Sequence, residues 1–309
     1  MVSPLRPVNA SAPGAAYAWM SLSACLFAGM NFFVHLSSAH VAWTLVGAVR
    51  ATVGALVAIA VARWRSASFI PKNTLAMWMR SLFGTGAMAC TFYALGSPVM
   101  PLGDAATLVN LSPVFLALLA PFVLHEHSGR RVFLALPLSV GGVLLILRPT
   151  LLFGGGAANP AMLFPAAIAL LGALVSAFAM MMLRQVGKTE SPEAIATHFS
   201  VVAATAMLLA SIPRLSLPSF VDLVTMLAAG LCAGFAQLAM TRAYSLEIAA
   251  RVSPFGYISV AVSAGLGAIA LHEWPDRLAV LGMLLVVSGG LVVTVAGMRE
   301  AARIDKLKA

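Results

Sequence analysis

The chain has 309 residues, of which 61% are hydrophobic and only 9% charged, with a mean hydropathy of +0.97 and a formal net charge of +9. Soluble chains are about one quarter charged, so a soluble globular fold, which could not hide this much apolar surface, is excluded. The basic residues stand singly among apolar runs rather than in a stripe with interleaved aromatics, which argues against nucleic acid and for the positive-inside loops of a membrane protein.

Residues 1–14, MVSPLRPVNASAPG, are a polar, proline-containing tail expected to be disordered. The first apolar run, 15–37, is followed by small residues, as a signal peptide would be. It is longer than an h-region, however, and its leader holds one cation, Arg6, so an uncleaved span is expected. Further spans fall at 42–62, 75–96, 102–124, 132–148, 162–183, 195–213, 222–243, 252–272 and 278–297. Each crosses, or nearly crosses, a hydrocarbon core roughly 30 Å thick at about 1.5 Å per helical residue. The fourth and fifth, joined by a short charged turn, form a membrane hairpin.

With ten spans and a cytoplasmic N-terminus, the inner segments hold Arg6, Arg63, Arg65, Lys72, Arg80, Arg130, Arg131, Arg184, Lys188, Arg242, Arg251, Arg299, Arg303, Lys306 and Lys308, while the outer ones hold Arg148, Arg214 and Arg277. That bias predicts both termini in the cytoplasm. Cys25, Cys90 and Cys232 all fall within spans and read as packed thiols, with neither disulfide nor metal-site spacing.

An internal repeat organises the chain. Leu124-His125-Glu126 returns as Leu271-His272-Glu273, 147 residues later, and Gly141-Gly142 returns as Gly289-Gly290, 148 residues later. Two halves of five spans follow, and because five is odd the second must sit upside down. That is the inverted-repeat architecture of many secondary transporters, whose substrate sites lie near the bilayer midplane between the halves.

The residues also resemble a known family. Phe92-Tyr93-Ala94-Leu95, Pro101-Leu102-Gly103-Asp104-Ala105, Ser112-Pro113-Val114-Phe115, Leu124-His125-Glu126 and Gly142-Val143-Leu144-Leu145-Ile146 with Arg148-Pro149 are similar to the EamA domain of the drug/metabolite transporter superfamily. Gln237-Leu238-Ala239, Ala243-Tyr244, Ser253-Pro254-Phe255 with Tyr257, and His272-Glu273-Trp274-Pro275 resemble the partner EamA repeat. One departure is that His125 and His272 stand where the family more often has Gly before the Glu. The resemblance implies an all-α integral membrane fold of ten helices. Its expected divisions are a cytoplasmic tail at 1–14, a first repeat at 15–149, a second at 160–297 and a cytoplasmic tail at 298–309. It also implies a central cavity lined by the first, third, fourth, sixth, eighth and ninth spans.

Arg50 is the one cation placed well inside a span, and it either snorkels to pair with Asp104 or binds substrate anions. Asn31 and His35, four apart, share a face of the first span. Thr107 and Asn110 share one of the fourth. Such residues either bond a neighbouring helix or face substrate. In the eighth span Gly230, Gly234, Gln237, Thr241 and Tyr244 form one stripe, whose glycine end is expected to pack and whose Gln237 to Tyr244 end is expected to line a cavity. Tyr93 and Tyr257, at family-like positions, complete the substrate-binding candidates; the alternative for Tyr257 is an interface tyrosine. Pro113 and Pro254 interrupt apolar spans and are candidate hinges. Glu126 and Glu273 end spans at the water boundary and read as caps for the next helix rather than as proton carriers.

Enzyme signatures fail. His125-Glu126-His127 lacks the second His of a zinc protease, and 265–270 imitates a dinucleotide fingerprint inside a span with no preceding strand. No G-x-S-x-G elbow or buried carboxylate pair is present, so no enzyme, cofactor or metal is expected. The expectation is a multi-pass transporter of a bacterial cytoplasmic (inner) membrane. It would move an amino-acid-like or nucleoside-like metabolite by alternating access, as an uncoupled facilitator or exchanger. A channel or non-transporting receptor is the alternative. The expected partners are a small-molecule substrate and the lipid bilayer, with no nucleic acid, and a homodimer is left open.

Overall fold

In the computed structural model the described residues are 13–38, 41–66, 72–95, 97, 99, 108–124, 130–147, 160–214, 217–271, 277–289 and 292, and all regular structure among them is helical. The first half supplies α1 (Pro13–Ser38), α2 (Trp43–Trp64), α3 (Thr74–Leu95), α4 (Ser112–Val123) and α5 (Arg130–Leu147). The second supplies α6 (Leu163–Val186), α7 (Pro192–Ser211), α8 (Phe220–Leu246), α9 (Ile258–Leu271) and α10 (Arg277–Gly289). Among the described residues six helical stretches are long and apolar enough to cross a membrane: those within α1, α2, α6, α7 and α8, and Ser253–Ala270, which ends in α9. Helix α3 has 22 residues but is not among them, because Arg80 and Gly84-Thr85-Gly86 dilute its apolar character. Large side chains such as Leu56, Phe122 and Phe220 point outward, the reverse of a soluble core and the arrangement a lipid solvent favours.

Local chemistry starts the helices where they start. Ser191 accepts a 3.1 Å bond from the Ala194 N–H, with Pro192 in the first position of α7, where its missing N–H costs nothing. Ser219 and Asp222 form a reciprocal capping box on α8, the Ser219 Oγ accepting from the Asp222 N–H at 3.1 Å.

The packing has a two-fold pattern. Helix α1 lies on α8 and α3 on α6; α1 also meets α9, as α6 meets α4; and α2 meets α8, as α3 meets α7. Exchanging the two five-helix halves turns each of these contacts into its mate and leaves the α2–α7 contact unchanged. Small residues permit the close approach: Ala28, Ala177, Ala203 and Ala236 are fully buried, and the Ser23 hydroxyl donates to the Ala236 carbonyl at 2.8 Å. On the α2–α8 seam, a Cβ at Gly230 would come within 2.6 Å of Val53, and one at Gly234 within 2.9 Å of Val57. The glycine end of the α8 stripe is therefore a packing seam.

Both candidate hinge prolines occupy helix joints rather than the interior of continuous spans. Helix α4 begins only at Ser112, after a turn at Asn110 and Leu111, so Pro113 sits in its first turn. Pro254 lies in a 3-10 segment, Ser253–Tyr257, between a single helical turn, Ala249–Val252, and α9. The Tyr257 hydroxyl donates to the Asn110 carbonyl at 2.8 Å and ties one joint to the other across the halves.

At one end of the bundle two connecting loops are clasped together. A single Glu190 carboxylate oxygen accepts the Lys72 N–H at 2.6 Å and the Asn73 N–H at 2.9 Å, and Arg65 pairs with Glu193 at 3.3 Å. All three cysteines are free thiols, but Cys25 is exposed on α1 rather than packed, because its position falls on the outer face of that helix.

Candidate functional site

Where α2, α3, α7 and α8 converge, a cavity of about 10 Å³, room for about one water, is lined by Arg50, Ala51, Gly54, Met88, Phe199, Ser200, Ala233 and Gln237. The Arg50 Nε donates to the Met30 sulfur at 2.9 Å and its Nη1 to the Met88 sulfur at 2.7 Å, while its guanidinium lies 6.0 Å from the Phe92 ring centre. Thioethers are weak acceptors on flexible stems. They hold the cation without neutralising it, and a stronger acceptor can displace them. Asp104, the partner weighed for Arg50 from sequence, lies outside the described residues.

The structure brings Gln237 to the same cavity as Arg50. Its amide stands 3.4 Å from the Thr241 hydroxyl, which itself donates to the Gln237 carbonyl at 2.8 Å, so Thr241 is held against its own helix. Tyr244, one turn on, is buried, and its backbone carbonyl accepts from Arg184 at 3.1 Å. Asn110 and Tyr257 meet through the bond between the joints. Two candidates point elsewhere: Asn31 is exposed on α1, and Tyr93 is exposed on α3, edge-on to Phe164 at 6.1 Å. The side chain of His35 and the whole of Thr107, His125, Glu126, His272 and Glu273 lie outside the described residues.

Two further residues belong to this neighbourhood that the sequence did not single out. Arg80, counted there with the inner segments, lies within α3 and is 1% exposed. Its guanidinium lies 4.5 Å over the Phe199 ring, the same ring that lines the Arg50 cavity. Its Nε and Nη1 are buried with no hydrogen-bond partner among the described residues. An orphaned buried donor costs about 1–3 kcal/mol, more when charged, and against this the ring returns about 2 kcal/mol or more when desolvated. Gly84, one turn along α3, leaves the gap this side chain fills, since a Cβ there would overlap the Arg80 Nη1 and stand 2.8 Å from the Phe199 ring.

Below this, the Ser81 hydroxyl and His198 Nδ1 share a 2.7 Å bond, and Trp78 packs edge-on to the same imidazole. Among the described residues no cluster of His, Cys, Asp and Glu is arranged to hold a metal.

The sequence matches the EamA-like transporter family over residues 14–148 and again over 163–295. It is 29% identical over 272 residues to the pseudopaline exporter of Pseudomonas aeruginosa (strain UCBPP-PA14), covering 86% of this chain and 91% of that one. It is 26% identical over 294 residues to solute carrier family 35 member G1 of Homo sapiens, covering 92% and 80%. A crystal structure superposes with a TM-score of 0.81 at 19% identity, over 92% of this chain and 98% of that one, a likeness of fold alone.

Proposed function

The chain belongs to the EamA-like transporter family, and we propose that it is a secondary transporter whose two repeats, five helices each and inverted in the membrane, move a small organic metabolite past Arg50 and Gln237 by alternating access. The observation that carries this reading is the exchange pattern of helix contacts, with a small cavity that Arg50 and Gln237 line where α2, α3, α7 and α8 converge. A cavity with room for about one water fits an occluded carrier better than an open pore, the competing class.

In this reading the repeats span 15–149 and 160–297, both termini are cytoplasmic, and the chain sits in a bacterial inner membrane, alone or as a homodimer. Substrate contacts come from Arg50, Gln237, Thr241, Tyr244 and Tyr257, joined by Asn31, His35, Tyr93, Thr107 and Asn110 as the repeats rock. The joints at Pro113 and Pro254 act as hinges, and the bond from Tyr257 to Asn110 supports this by linking them. The solute is amino-acid-like or nucleoside-like, and export or exchange is favoured by the pseudopaline exporter among the relatives.

The test has two stages. Comparing internal and external metabolites between a deletion and an overexpressing strain identifies the solute; purified protein in liposomes is then assayed with it. A carrier saturates and shows counterflow from preloaded vesicles. Flux that rises linearly without counterflow would overturn the reading in favour of a channel.

A further inference from the structure

We infer that Arg80 and Arg50 are two successive stations for a carboxylate on the transported solute, separated by the ring of Phe199. This rests on the carrier reading and names the chemistry it would serve.

The argument begins with charge. Both arginines lie in the interior of helices, Arg50 on α2 and Arg80 on α3, and among the described residues no carboxylate pairs with either. The described acids near buried positions are engaged at helix ends: Glu190 by two backbone N–H groups, Glu193 by Arg65, Asp222 by its capping box, and Glu247 by Arg251 and the Ile248 N–H. Two cations in a low-dielectric interior without a counter-charge are costly to maintain. A structural arginine would have its donors filled, as Arg184 does with the carbonyls of Tyr244 and Ser245. Arg80 instead has Nε and Nη1 buried without partners among the described residues, Nη1 filling the space over Gly84. Nε and Nη1 lie on different edges of the guanidinium, Nη1 being the one beside Cδ, so each is a separate charge-assisted donor that a carboxylate oxygen could take.

Phe199 gives the two sites their order. Its ring lies 4.5 Å from the Arg80 guanidinium and also lines the Arg50 cavity with Ser200 and Gln237. A carboxylate passing between the two guanidinium groups passes this ring. At Arg50 it displaces the sulfurs of Met30 and Met88, which are the weaker acceptors.

The experiment uses the purified full chain in a neutral detergent. Thermal unfolding is recorded with N-acetyl amino acids, with their C-terminal amides, and with sodium chloride at matched ionic strength; a fourth arm adds phosphatidylglycerol. The expected result is that at least one acid raises the midpoint by several degrees where its amide, chloride and the lipid do not. Arg80→Gln and Arg50→Gln each weaken that protection at least tenfold. If Arg80→Gln does not yield folded protein, Arg80→Lys decides, with an expected loss of about tenfold because it keeps the charge but not the two separate guanidinium donors. The inference is overturned if no acid outperforms its amide, if chloride or phosphatidylglycerol protects equally, or if protection is undiminished in the Arg80 variants. Counterflow of a neutral solute untouched by Arg80→Gln would sink this inference and leave the carrier reading standing.

Discussion

Arg50 and Arg80 are both cations in the interior of helices, yet what surrounds them differs in kind. Around Arg50 the neighbours are adaptable: two thioethers within 2.9 Å, a distant ring and a small cavity. Around Arg80 they are tighter: a ring at 4.5 Å, a glycine whose Cβ would overlap the guanidinium and crowd that ring, and two donors without partners among the described residues. The difference teaches that burial alone does not grade an intramembrane charge. A cation among weak acceptors is held in a site that can give, whereas one among none is held only by shape.

The largest test of that contrast is to fill the gap. Gly84→Val pushes side-chain atoms into the Arg80 guanidinium and the Phe199 ring, so a loss of 3 kcal/mol or more is expected, at the upper end of overpacking. Yield of monodisperse protein and its thermal midpoint check it, and a variant as stable as the parent would show that the gap is not rigid. Next, Arg80→Met should stabilise the fold by roughly 1–3 kcal/mol, because it removes orphaned donors and keeps apolar volume, while solute counterflow falls at least tenfold. A destabilised Arg80→Met would instead make the guanidinium a structural clamp. On the softer side, Met88→Leu conserves volume but removes one acceptor of Arg50. A cost of about 1 kcal/mol is expected in thermal unfolding. The smallest effect belongs to Gly54→Ala in the wall of the Arg50 cavity. Its new Cβ would meet the Ser200 hydroxyl at an ordinary 3.5 Å, so stability should stay within about 0.5 kcal/mol. A drop comparable to that of Gly84→Val would erase the distinction between the two sides.

Much of the frame was legible beforehand because it rests on long patterns. Apolar runs announce spans, and the return of Leu-His-Glu and Gly-Gly at nearly one offset announces two repeats, since neither depends on a single boundary. The site was less legible for the opposite reason. Arg80 stands seven residues into α3, close enough to a helix end to be counted with the loop, and only packing shows that its side chain turns inward. Phe199 is one aromatic in an apolar run, where periodicity cannot separate a lipid-facing ring from a cavity wall. Asn31 shows the converse, since its spacing from His35 defines a shared face but not which neighbour that face meets. The prolines were visible as interruptions, but a first-turn proline and a kink look alike until the helix start is known.

The clasp made by Glu190 bears on how the molecule divides its time between shapes. Its one carboxylate oxygen holds two backbone N–H groups from the loop that leads into α3, so the two halves are joined there by charge-assisted bonds rather than by a movable side-chain plug. Any rearrangement that parts these loops gives up about 3 kcal/mol, net of the bonds water makes in their place, roughly a hundredfold in population. On the alternating-access proposal, the resting ensemble is thereby weighted against opening at that mouth, and a solute that opens it must bind the open shape tighter by a comparable factor.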